Sequence, residues 1–276
     1  MSSVWYYLLY SVCFLISLLP FKILYGLSNL LYFPLYYGIK YRRGIVRKNL
    51  MESFPDKTKK EIIGIEKEFY AFFCDYIVET LKLLSISQAS LYKRMRFINA
   101  DVLNESIRQG RSCAIYLGHY CNWEWITSFP LYANEQAIFG MIYHILENKV
   151  FERLLLYLRG RHGMVGIPMG ETLRKIIAFR RENKQFAIGF ISDQVPLWNS
   201  IHYWTNFLNH DTPVFTGTER IAKQENLVVY YADITRPKRG YYVCEFKKLT
   251  VSPTDFPNYT ITEMYMCELE KTIIRS

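Results

Sequence analysis

The chain has 276 residues, of which 50% are apolar, 17% aromatic and 21% charged. That apolar share excludes a disordered, collagen-like or disulfide-stapled protein and leaves one large domain, with or without an appendage. Net charge is +9, unevenly placed: no acidic residue precedes Glu52, whereas Lys22, Lys40, Arg42, Arg43, Arg47 and Lys48 do, so the first 51 residues carry +6 and the rest +3. A nucleic-acid-binding protein spreads basic charge over its fold. Here the charge adjoins a greasy segment, which points to a membrane and away from nucleic acid.

That segment, residues 2–39, holds Lys22 as its only charge and is dense in Leu, Tyr, Phe and Trp. As a helix, residues 4–21 reach roughly 27 Å at 1.5 Å per residue, close to a hydrocarbon core of about 30 Å. Pro20 and Pro34 interrupt it, so the pattern allows one tilted spanning helix or a spanning helix followed by a membrane-surface helix. Lys40, Arg42, Arg43, Arg47 and Lys48 follow at once, which predicts a cytoplasmic flank on anionic headgroups. The division expected is a membrane-anchoring segment, 1–39, and a second domain, 40–276.

Residues 57–84 read as an amphipathic helix, with Asp56 or Thr58 as its cap. Apolar runs at 113–117, 137–143, 186–191 and 227–234 then alternate with helical stretches at 123–132, 148–159, 171–183 and 215–225. After the turn signal Pro237-Lys-Arg-Gly240, 241–251 reads as an antiparallel strand and 259–275 as a closing helix. The fold class expected is α/β: a mixed, largely parallel central sheet flanked by helices, with an N-terminal membrane-anchoring helix. The six cysteines are scattered with no Cys-x-x-Cys pair, which predicts reduced, mostly buried thiols.

The most informative stretch is Tyr116-Leu-Gly-His-Tyr-Cys-Asn-Trp-Glu-Trp125. A strand ends, Gly118 permits a tight turn, His119 sits at the turn, and Asn122 caps the helix bearing Glu124. Ligands of open α/β sheets sit at the carboxyl ends of strands. With His119 ahead of the helix, Glu124 can fold back to accept a hydrogen bond from the imidazole and make it a better base, the alternative being a half-buried histidine beside an unrelated surface glutamate. Arg159, Arg161 and His162 form a second group, suited either to gripping a phosphate or to closing a helix C-terminus. Asp193 and Gln194 end an apolar strand and either line the site or bond a turn backbone. Thr212 is a candidate cap for the helix that follows it.

Together these stretches resemble the late lipid A acyltransferases, the lauroyl and myristoyl transferase branch of the lysophospholipid acyltransferase superfamily. The resemblance runs in order through Arg47-Lys-Asn-Leu-Met-Glu-Ser-Phe-Pro55, the His-x4-Asp/Glu signature at His119 and Glu124, Leu158-Arg-Gly-Arg-His-Gly163, Ile191-Ser-Asp-Gln194 and Phe207-Leu-Asn-His-Asp-Thr-Pro213. It departs at Asn209, where that family has glycine. Members also continue into a tail containing Pro, Trp, His and Arg, whereas this sequence ends Ile274-Arg-Ser276. The resemblance implies that losing such a tail weakens stability or acceptor binding.

What the resemblance implies is metal-independent transfer of an acyl chain from an acyl carrier protein or coenzyme A thioester to a lipid A precursor hydroxyl. It needs no cofactor beyond that thioester, and it places the protein at the bacterial inner membrane with its catalytic domain facing the cytoplasm. Carried over, His119 is the general base and Glu124 its orienter, while Arg159, Arg161, Asp193 and Gln194 bind or place substrate. Oxyanion donors are either backbone N–H groups after Gly118 or a nearby arginine. Three other readings remain at this stage: a different glycolipid, phospholipid or aminolipid acceptor; an inactive membrane scaffold; and a metal-dependent hydrolase drawing on His119, Glu124, His144, His162, His202, His210 and Asp193.

Overall fold

The computed structural model describes residues 2–133 and 136–275. Two compact units form: residues 7–86 with 206–211, and the remainder of the chain.

The first unit is helical. Helix α1 (Ser2–Leu18) stops before Pro20, and α2 (Phe21–Phe33) runs on into a π turn at Pro34–Gly38. Pro20 therefore marks the break in the apolar run, whereas at Pro34 the helix continues as the π turn. Among the described residues no single helix is long and apolar enough to cross a membrane, and the pair Val4–Leu18 and Phe21–Gly38 is bent by 115°. Helix α3 (Arg43–Ser53) leads to α4 (Lys59–Lys82), which Thr58 opens with a reciprocal capping box to Glu61. The inner face of α4 carries three buried carboxylates, each met by a hydroxyl of the preceding segment: Tyr36 on Glu66, Ser28 on Asp75 and Tyr25 on Glu79, at 2.7–2.8 Å. Arg47 also grips Glu66 through two bonds, at 2.6 and 2.9 Å, and Arg43 lies 3.1 Å away. Two of the five flanking cations expected on headgroups are thus spent on an internal carboxylate.

In the second unit, α5 (Gln88–Arg94), β1 (Met95–Ile98) and α6 (Ala100–Arg108) precede β2 (Cys113–Leu117). A 3-10 helix (Trp123–Leu131), β3 (Ile138–Tyr143), α7 (Lys149–Gly160), β4 (Val165–Pro168), α8 (Thr172–Arg181) and β5 (Phe186–Ile191) follow. The chain then forms the ribbon β6 (Trp204–Phe207) and β7 (His210–Pro213), whose residues 206–211 belong to the first unit, and goes on to α9 (Gly217–Gln224), β8 (Val228–Lys238), β9 (Tyr241–Thr250) and α10 (Thr260–Ile274). The main sheet has the order β1-β9-β8-β2-β5-β3-β4, every neighbouring pair parallel except β8 with β9. All five residues of central β2 are buried, as a continuous apolar run between helical layers must be.

Two local features depart from the sequence expectation, and a third accounts for a residue it singled out. Residues 123–131 wind as 3-10 rather than α-helix, with Pro130 inside and the hydroxyls of Thr127 and Ser128 bonded to carbonyls three residues back. Thr212 lies in β7, and Thr216 stands before α9 without a side-chain capping bond. Asn209 takes φ 66° beside Leu208 at φ 49°, so the ribbon turns through two left-handed residues. Asparagine tolerates that region, which explains how it stands where the resembled family has glycine. Five cysteines are buried thiols and Cys267 is exposed.

Helix α10 is locked to the sheet by charge. The buried Asp233 of β8 accepts two bonds from Arg275, at 3.0 and 2.8 Å, lies 2.8 Å from Lys247 and accepts from Thr272. Burial pushes the Asp233 carboxyl up, but the Arg275 guanidinium and Lys247 ammonium outweigh it and hold it below the usual carboxylate value. Its stabilisation is therefore complete above the unfolded-state carboxylate pKa and is lost as pH falls through the lower folded-state value. Asp233→Asn is expected to cost about 2 kcal/mol in denaturant unfolding at neutral pH, since both cations are partly exposed and rehydrate. The deficit narrows in acid.

Candidate active site

The register of the sheet builds the site. In the parallel pair β2–β5, Leu117 lies opposite Ile191. Two residues beyond each strand end, His119 and Asp193 therefore meet at the carboxyl edge of the sheet, where open α/β folds place ligands. The Asp193 carboxylate is fully engaged: Oδ1 is 2.6 Å from His119 Nδ1, and Oδ2 accepts the His119 backbone N–H at 2.7 Å. One side chain thus fixes both the ring and the turn that carries it. Trp123 meets the imidazole edge-on at 5.1 Å between ring centroids.

Gly118 is required by close approach. A Cβ there would fall 2.6 Å from Leu269 Cδ1 of α10 and 3.4 Å from Asp193 Oδ2. Helix α10 also sends the Tyr265 hydroxyl to the Leu117 carbonyl at 3.1 Å, and Tyr265 stacks on Tyr116 at 4.4 Å. The buried Glu219 receives the Thr262 backbone N–H and hydroxyl, at 2.9 and 2.7 Å, fixing the first turn of α10. The closing helix is therefore part of the floor beneath His119.

Glu124 is buried and does not reach the imidazole. Arg159 of α7 grips it through a fork, Nε to Oε2 at 2.8 Å and Nη2 to Oε1 at 2.5 Å. Asn122 occupies the position before the 3-10 helix without making the capping bond expected of it. The five-residue spacing of His119 and Glu124 places them in one cavity but on different partners. Arg161 is exposed at the end of α7, and His162 is buried beside it, its pKa lowered by burial and by the Arg161 charge.

His119, Glu124, Arg159 and Gln194 line one cavity of about 510 Å³. Its floor is the inner face of β2, β5 and β3, where Ile115 and Leu117 flank Ala187, Gly189 and Ile191, with Phe139 and Met141 on the far side. Small residues on the central strand between larger neighbours leave a trench. Phe129 and Phe246, ring against ring at 4.9 Å, line it as well. The sequence marked the polar residues of this site but not the floor, whose apolar runs read only as core.

The arrangement defines a class: an imidazole held by a carboxylate, opening on an apolar trench, suits proton abstraction from a substrate carrying a hydrocarbon chain. The chain belongs to the bacterial lipid A biosynthesis acyltransferases, whose family profile matches residues 1–276. It is an acyltransferase, working between an acyl donor and a lipid acceptor. Compared singly with characterised proteins, the chain gives no significant match.

Proposed function

We propose that the protein transfers a fatty acyl chain from an acyl carrier protein or coenzyme A thioester to a hydroxyl of a lipid A precursor, at the cytoplasmic face of a bacterial inner membrane. The observation that carries this reading is His119, held by Asp193, on the wall of a mainly apolar cavity of about 510 Å³. With Nδ1–H donated to Asp193, Nε2 is the basic nitrogen. It takes the acceptor hydroxyl proton as that oxygen attacks the thioester carbonyl. Collapse of the tetrahedral species breaks the C–S bond, and the imidazolium returns its proton to the departing thiolate. Asp193 holds the tautomer and stabilises the imidazolium. Because Asp193 already takes the His119 N–H, the oxyanion needs other donors. Glu124 and Arg159, as a fixed pair, shape the polar end of the cavity, and Gln194 borders it. The acyl chain lies in the trench over Gly189.

Lipid mass spectrometry of cells lacking the protein tests this. One lipid class is expected to become lighter by a single acyl chain and to be restored by the parent protein; an unchanged lipidome sinks the proposal. The trench makes a second prediction. A Cβ added at Gly189 would sit 3.4 Å from Leu117 Cδ2 and 3.7 Å from the Gly140 carbonyl oxygen. Gly189→Val is expected to shift donor preference toward shorter chains, read from competing thioesters of graded length.

A further inference from the structure

Three loops at the carboxyl edge of the sheet share a property that acyl transfer in water does not require. Strands β5, β3 and β4 are parallel neighbours, so their following loops emerge side by side. After β3 come Ile145 and Leu146, after β4 comes Met169, and after β5 come Val195, Leu197 and Trp198. All six are exposed, Leu197 by 76% and Trp198 by 84%. Soluble surfaces carry single apolar residues freely, but clustered exposure of this kind marks an interaction surface. Leu146, Met169, Val195 and Leu197 also line the cavity that holds His119, so the patch is the outer rim of the cavity itself.

We propose that this rim is a bilayer-docking surface, seated among lipid chains so that an acyl chain passes between the leaflet and the cavity without crossing water. This rests on the lipid-acylation reading. Lipid is favoured over a protein partner by two observations. From Gln194 to His210 the sequence contains no Asp, Glu, Lys or Arg, so the most prominent rim segment offers no charge for a carrier to complement. The same segment places tryptophan at its most exposed point, the side chain that concentrates at membrane–water interfaces.

The test uses the full chain with vesicles of phosphatidylcholine and phosphatidylglycerol, brominated at shallow or deep acyl carbons. Of the five tryptophans, the contribution of Trp198 is the difference between the parent and Trp198→Phe. That difference is expected to be quenched by shallow bromines, a readout that needs no turnover. In parallel, Trp198→Asp is expected to raise the apparent KM for acceptor in vesicles roughly ten-fold more than for the same acceptor in detergent. Absence of quenching overturns the proposal, as does a KM change confined to the carrier thioester, which would make the rim a protein-docking surface. Intact quenching with no transfer to any lipid hydroxyl sinks the acyl-transfer reading and leaves the docking surface standing.

Discussion

Replacing His119 with alanine is expected to lower kcat roughly 10²- to 10⁴-fold, the usual contribution of a positioned general base. The KM for donor and acceptor should change far less, because the apolar trench that would hold the chain remains. Asp193→Asn should fall in the same range. Its amide can still accept from the His119 backbone N–H, but an amide N–H facing Nδ1 forces the ring proton onto Nε2 and removes the base. Steady-state kinetics on both variants, with lipid mass spectrometry of complemented cells, reads the result. Retention of more than about a third of turnover in Asp193→Asn would remove Asp193 as the orienter, since a wrong tautomer cannot support general-base catalysis at that level.

The partner of His119 shows what a linear sequence carries and what it does not. Strands β2, β3, β5 and β8 were legible as apolar runs, and α4, α7, α8, α9 and α10 as periodic stretches between and around them, because burial between helical layers imposes those patterns, while β9, buried on alternate residues, was legible from the turn signal ahead of it. Strands β1 and β4 were not legible. They are the two edges of the sheet, four residues each, and β4 reads Val-Gly-Ile-Pro, a composition that only an edge tolerates. At the site, His119 and Glu124 read as partners because His119 stands in the turn just ahead of the helix that carries Glu124. The imidazole instead meets Asp193, 74 residues away, and Glu124 meets Arg159, 35 residues away. Both pairings follow from tertiary register. Once β2 and β5 are recognised as neighbours, Asp193 stands at the same offset from its strand end as His119 does from its own. That offset was the available signal, and it required sheet order to be known first.

Glu124→Gln is expected to separate the two roles a carboxylate can play in this cavity. The Arg159 fork is largely withdrawn from water and Glu124 almost wholly so, so removing one charge leaves the other poorly compensated, at a cost of about 3 kcal/mol in unfolding free energy. Arg159→Met should cost at least as much, because it leaves the more deeply buried ion alone. Combining Glu124→Gln with Arg159→Met removes both charges at similar volume and is expected to recover most of that stability, a coupling that a double-mutant cycle measures directly. Catalysis distinguishes this pair from the one on His119. Asp193→Asn, which puts the ring proton on the wrong nitrogen, should lower kcat with KM little changed. Glu124→Gln, whose carboxylate in the parent is held by Arg159 and not by the ring, should keep far more of kcat and change KM with it through the altered cavity. A loss of kcat in Glu124→Gln as deep as in Asp193→Asn, at unchanged KM, would return Glu124 to the role of orienter and reduce the Arg159 fork to the resting arrangement of the site.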